Sequence, residues 1–124
     1  MKNVNMAVMA ISFLFVAAIA GCASDQSFNK SSEASKSSIR AAEEVGAAKV
    51  PSAALYLQLA KEELENARAL AAEGKKEQAA SMLKRAEADA ELAVTLSHEQ
   101  AEKTEAAKAI ERARQLRIDN QLPN

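Results

Sequence analysis

Small and large apolar side chains recur along the middle of this chain at steps of four and three residues. One run comprises Ala53, Leu57, Ala60, Leu64, Ala67 and Ala71, and the next comprises Ala79, Leu83, Ala86, Ala90 and Ala93. Such steps keep residues on one face of an α-helix, so each run predicts a helix with a narrow apolar seam. Gly74 lies between the runs, where a left-handed cap is expected. Because so short a connection reverses the chain, we predict an antiparallel αα-hairpin with coiled-coil-like packing.

The predicted fold class is therefore all-α. The hairpin helices span about residues 52–73 and 75–118, and a short helix over about 39–49 precedes them. Pro51 separates the first two helices, because proline disfavours the α conformation in the residue before it. The third helix would be on the order of 65 Å long and must project beyond the second. Together these helices make one predicted domain over residues 39–118, followed by a tail at 119–124.

The seam of the third helix changes from apolar to polar after Ala93. Ser97, Gln100 and Thr104 are polar, and this stretch is expected to be exposed or to face a partner. Apolar residues resume the seam weakly at Ile110, Ala113 and Leu116.

The first 21 residues differ sharply from the rest. Lys2 places a positive charge near the N-terminus. An apolar run then extends from Met6 to Ala20 and is broken only by Ser12. Fifteen helical residues span roughly 22 Å, which is short of the ~30 Å hydrocarbon core of a bilayer. This length favours a cleaved signal peptide over residues 1–21.

The apolar run ends in a four-residue motif that resembles a bacterial lipobox. Ile19, Ala20 and Gly21 would form the recognition site for signal peptidase II, and Cys22 would carry the lipid. Cys22 is the only cysteine of the chain. Two or three acyl chains would hold the protein stably in a membrane. The residues leave one alternative open, in which Cys22 is an ordinary thiol at the end of a membrane-anchoring helix.

Residues 22–38 are predicted to be a flexible tether. Seven serines lie between Ala23 and Ser38, and serine disfavours helix interiors. A weak extension of the first helix over 31–38 is the alternative. Residues 22–124 contain 24 Ala, whereas Leu, Ile, Val and Phe together number 17 in this part of the chain. The predicted helices therefore have a thin core, and we expect modest stability.

The chemistry-bearing side chains indicate no catalytic site, no cofactor and no metal site. His98 is the only histidine, and Glu102 is its nearest ligand candidate on the same helix side. A functional zinc site needs more ligands than these two. The overall net charge of −1 argues against nucleic-acid binding. We therefore predict that this protein is not an enzyme.

Charged residues at helical spacing predict local ion pairs. The expected pairs are Lys61–Glu65, Glu65–Arg68, Arg85–Asp89 and Glu99–Lys103. Arg112, Arg114 and Arg117 cluster near the end of the third helix, where cations complement the helix dipole. Contact of these arginines with anionic envelope polymers or lipids is the alternative.

Several of these residues recur in an order that resembles one family. They are Pro51-Ser52-Ala53, Leu57, Ala60, Leu64, Ala67, Gly74, Leu83, Ala86 and Asp89-Ala90-x-Leu92-Ala93. The set resembles the domain-of-unknown-function 4398 family of small Ala-rich bacterial envelope lipoproteins. The resemblance covers about residues 39–118 and implies a helical shape in the cell envelope, but no reaction.

These observations predict a lipid-anchored envelope protein that acts as a helical spacer or protein-interaction module. Ala23 after the cysteine is compatible with the outer membrane and a periplasm-facing chain. The expected partners are membrane lipid and an envelope protein or cell-wall component. The alternative is an oligomeric coiled-coil structural lipoprotein that links the outer membrane to the cell wall non-covalently.

Overall fold

The computed structural model describes the backbone of residues 19–121 and the side chains from Gln26 to Gln121. The elements are α1 (Ile19–Glu44), one 3₁₀ turn (Ala47–Lys49), α2 (Pro51–Ala72) and α3 (Lys76–Asp119). No strand occurs between residues 19 and 121, so the all-α prediction is confirmed for this part of the chain. The second and third helices begin and end within one residue of their predicted bounds.

The N-terminal part differs from the prediction, because residues 22–38 are helical rather than a flexible tether. Three small or apolar residues explain the difference: Ser32, Ser35 and Ile39 lie at steps of three and four and are all buried. The Ser35 hydroxyl donates a hydrogen bond to the carbonyl of Leu83 in α3, at 2.8 Å. Packing against α3 therefore outweighs the poor helix propensity of serine.

α1 ends earlier than the predicted 39–49 helix, at a glycine. Gly46 adopts the left-handed conformation, with φ of 78°. Its N–H donates to the Glu43 carbonyl at 3.0 Å, and the chain continues into the 3₁₀ turn. This change of direction buries Ala47 and leaves Ala48 exposed.

The predicted glycine cap of α2 is confirmed. Gly74 has φ of 77°, and its N–H donates to the Ala71 carbonyl at 3.0 Å. The next N–H, that of Lys75, donates to the Leu70 carbonyl at 2.9 Å. These two hydrogen bonds form a Schellman motif, which satisfies carbonyls that the end of a helix leaves free.

The core is built almost entirely from the predicted seams. Leu83 is the largest apolar side chain with no exposed surface. Ala71, the last residue predicted in the α2 seam, is only partly buried. The other predicted seam residues, together with two from α1, are buried: Ala53, Leu57, Ala60, Leu64, Ala67, Ala79, Leu83, Ala86, Ala90, Ala93, Ile39 and Ala42.

The order of contacts gives the direction of each helix. Glu63 of α2 pairs with Arg85 of α3, and Val50 at the start of α2 lies beside Ser97 much later in α3. The two helices therefore run in opposite directions. Ser35 contacts Leu83, and Val45 shares a groove with Gln100, so α1 runs in the same direction as α3.

α3 continues far beyond its neighbours. We call residues 98–119 the overhang, because every one of them is exposed. The prediction that Ile110, Ala113 and Leu116 resume the seam is wrong. Ala113 follows the buried Ser97 by sixteen residues, which turns it about 160° around the helix axis. The apolar residues of the overhang thus lie on a different face from the core seam.

Candidate functional site

The lipobox-like motif lies at the beginning of the described chain. The backbone of Ile19, Ala20, Gly21 and Cys22 forms the first described turn of α1. The side chains of residues 19–25 and all of residues 1–18 lie outside the described part. The signal peptide, the peptidase recognition residues and the lipid attachment at Cys22 therefore stay predictions.

α1 connects this motif directly to the folded core. Among the side chains described from Gln26 onward, Ser32 is the first that is buried, ten positions after Cys22. Ten helical residues rise about 15 Å, whereas a flexible tether of sixteen residues would reach roughly 20–24 Å. Helical structure at these positions fixes both the distance and the direction between Cys22 and the core.

Between residues 19 and 121, no helix combines sufficient length with sufficient apolarity to be a transmembrane span.

An open groove of about 490 Å³ lies beside α3 where α1 ends and α2 begins. Val45, Val50 and Ala101 give it an apolar floor, and Glu44, Lys49 and Glu105 place charges around it. Ser97 is buried here and donates a hydrogen bond to its own helix, to the Ala93 carbonyl at 2.8 Å. The predicted exposed polar stretch therefore begins after Ser97 rather than at it.

The described chain has one buried carboxylate, Glu63 of α2, which is 6% exposed. Its Oε1 forms an ion pair with a guanidinium nitrogen of Arg85 of α3, at an N–O distance of 2.8 Å. Its Oε2 has no hydrogen-bond partner. Burial raises the pKa of Glu63, Arg85 opposes this rise, and Asp89 adds to it. The Arg85 side chain remains 63% exposed. This pair joins the two helices, and no nucleophile accompanies it among its named partners.

Two of the four predicted ion pairs occur. Arg68 pairs with Glu65, and Lys103 pairs with Glu99 at 2.6 Å. The other two cations find partners on another helix.

The cross-helix partners are carboxylates distant in sequence. Lys61 pairs with Glu43 of α1 at 2.5 Å instead of Glu65. Arg85 pairs with Glu63 instead of Asp89. Helical spacing reports only neighbours on the same helix, so sequence alone gave no signal for either contact.

The remaining candidates lie on the exposed surface of α3. His98 and Glu102 are both exposed. No cluster of three or more His, Cys, Asp and Glu residues suited to a metal ion occurs among the residues described. Of the three clustered arginines, Arg114 pairs with Glu111 at 3.6 Å, and all three are exposed.

Comparisons with known proteins add no relative. No protein-family model matches the chain, and neither the curated proteins nor the solved structures gave a match.

Proposed function

We propose that this protein is a lipid-anchored lipoprotein of the bacterial envelope that serves as a helical spacer or protein-interaction module. The observation that carries the proposal is the motif Ile19-Ala20-Gly21-Cys22 at the end of a fifteen-residue apolar run, with Cys22 as the only cysteine. Signal peptidase II would cut before Cys22, and acyl chains on this residue would hold the protein in the membrane. Ala23 after the cysteine is compatible with the outer membrane, and the helices would then face the periplasm.

The helical geometry supports a spacer role. α3 has 44 residues, which corresponds to about 66 Å. Because α1 runs in the same direction as α3, an anchor at Cys22 would direct the overhang away from the membrane. The overhang and the groove beside Ser97 would then be available to an envelope protein or cell-wall component.

The packing of the hairpin is part of the proposal. We infer that α2 and α3 form an antiparallel, coiled-coil-like pair, in which alanine on both seams allows the backbones to approach closely. The buried seams at steps of four and three support this inference. The same ordered residues support membership of the domain-of-unknown-function 4398 family.

Lipid labelling tests the anchor. Cells producing the wild type, Cys22→Ala or the matched control Ser27→Ala would be supplied with a labelled fatty acid and then fractionated. We expect label in the wild type and Ser27→Ala and none in Cys22→Ala, which should also keep the apolar residues 1–21. Mass spectrometry of the product should show a chain that begins at a lipidated Cys22. A product that still carries residues 1–21 and a free thiol would refute the proposal.

The overhang favours a second candidate function, the oligomeric structural lipoprotein. Some twenty exposed helical residues without a partner are an unusual feature for a monomer, because isolated helices are only marginally stable in water. Light scattering of the purified chain at several concentrations distinguishes the candidates. A mass that rises with concentration supports the oligomer, and a constant monomer mass supports the adaptor.

A further inference from the structure

The overhang carries charged residues that form no ion pair with the rest of the described chain. Its other charged groups mostly form ion pairs within the helix, as Lys103 does with Glu99, Lys108 with Glu105 and Arg114 with Glu111. Within the described chain, Glu102, Arg112 and Arg117 form no ion pair.

Acidic and basic residues are segregated along the overhang. Residues 99–106 contain three Glu and one Lys, whereas residues 107–117 contain one Glu, one Lys and three Arg. The half nearer the core is therefore negative, and the half nearer the tip is positive. A second overhang would match this distribution only in the opposite direction.

One face of the overhang combines these charges with small apolar residues. Ala106, Ile110 and Ala113 follow one another at steps of four and three, and Ala109 lies beside them. Glu102 precedes Ala106 by four residues, and Arg117 follows Ala113 by four. We call this stripe, from Glu102 to Arg117, the overhang seam. Ile110 at its centre is 56% exposed.

We propose that the overhang seam binds the overhang seam of a second copy of this chain in an antiparallel pair. The register that fits places Ala109 opposite Ile110 of the second copy. Ala106 then faces Ala113 of the second copy, and Glu102 faces Arg117. The two-fold symmetry repeats each contact, so two Glu102–Arg117 pairs flank an apolar centre.

The same residues disfavour a parallel pair. In that direction each Glu102 would face Glu102 of the second copy, and each Arg117 would face Arg117. Like charges placed directly opposite one another oppose association. In the antiparallel pair, the α1 helices of the two copies lie at opposite ends of the assembly. They run in opposite directions, because α1 and α3 of each copy run in the same direction. Two copies anchored in one membrane could form this pair only if both lie along the membrane surface, so the proposal does not rest on the spacer role.

Reciprocal charge exchange tests the register. The full chain would be purified in detergent micelles, and its protein mass would be measured by light scattering over a range of concentrations. We expect Glu102→Arg and Arg117→Glu each to raise the dissociation constant of the dimer about tenfold, since each removes two symmetric ion pairs and creates two repulsive ones. The double variant should restore the wild-type value.

Restoration in the double variant would show that residues 102 and 117 contact each other between two copies of the chain. Glu102 and Arg117 are separated by fifteen residues, or about 22 Å along the helix, and cannot pair within one chain. Glu91→Arg makes the same charge change at an exposed position of α3 outside the overhang and should leave the dissociation constant unchanged. A wild-type chain that is monomeric at all concentrations, or a double variant no better than the singles, would overturn the proposal.

Cysteine crosslinking tests the direction independently. Ala106→Cys and Ala113→Cys should not form a disulfide-linked dimer when each is oxidised alone, because equivalent positions lie seven residues apart along the pair. A mixture of the two should form the linked heterodimer. The wild type, which retains Cys22, gives the background. Crosslinking of each variant with itself and not in the mixture would show a parallel pair and would contradict the proposal.

Discussion

At the scale of single residues, a buried serine connects α1 to α3. Ser35 has no exposed surface and joins α1 to the backbone of α3 through its hydroxyl. The same hydroxyl lies 2.9 Å from the Ser31 carbonyl in its own helix. A larger side chain could not occupy this position, and a side chain without a hydroxyl would lose the contact between the helices.

Replacing Ser35 by alanine should lower the free energy of unfolding by about 0.5–1 kcal/mol, since the lost hydrogen bond outweighs the better helix propensity of alanine. Ser37 is exposed on the same helix and provides the matched control. Ser37→Ala should be neutral or slightly stabilising in urea unfolding. Equal stability of the two variants would show that the contact between Ser35 and Leu83 contributes nothing.

Glu63 makes stability depend on pH. Burial raises its pKa above the ordinary value of 4.5, so the folded chain holds this proton more tightly than the unfolded chain. The stabilising contribution of the neutral carboxyl is complete below about pH 4.5, and it is lost as the pH rises through the raised folded pKa.

Glu63→Gln should therefore be more stable than the wild type at pH 7, by about 1 kcal/mol, because it removes a buried charge with an unpaired oxygen. This difference should shrink as the pH falls toward 4. Glu62→Gln alters an exposed neighbour and should show no such trend in thermal unfolding. A Glu63→Gln variant that is clearly less stable at pH 7 would show that the Arg85 ion pair dominates.

At the scale of elements, the buried seams of α2 and α3 consist largely of alanine. Ala60, Ala67, Ala86 and Ala90 have no exposed surface. The spacing of these residues predicted both helices and the glycine between them, because periodicity reports which face of a helix is apolar. The spacing could not predict α1 as far back as residue 22, since its buried face includes serines that hydropathy counts as polar.

Replacing Ala86 by leucine should overpack the seam and lower the free energy of unfolding by about 1–3 kcal/mol. Ala88 lies two residues further on the exposed side of α3, so Ala88→Leu is the matched control and should be nearly neutral. Thermal unfolding followed by circular dichroism measures both. An Ala86→Leu variant with an unchanged or higher melting temperature would contradict the close-packed seam.

At the scale of the whole molecule, the chain has a three-helix part and a single-helix part. The three-helix part ends near Ser97, where α1 has already ended and α2 begins. The overhang continues with only its own backbone hydrogen bonds and side-chain pairs. An unpartnered helix of this length should open far more often than the packed part.

Hydrogen exchange should resolve this difference at high dilution, where copies of the chain are separated. We expect backbone amides of residues 105–119 to exchange orders of magnitude faster than those of residues 83–93. At high concentration, the proposed pairing should slow exchange in the overhang only. Uniform protection along α3 at high dilution would refute the description of the overhang as unpartnered.

The sequence by itself determined α2, α3 and the cap at Gly74, because each follows from local spacing and backbone freedom. It also determined the candidate lipid site at Cys22, whose motif is contiguous. Only the tertiary structure decided that the serine-rich segment is helical, that Lys61 and Arg85 pair across helices, and that Glu63 is buried. These features depend on surfaces distant in sequence, and local propensity carries no information about which surfaces meet.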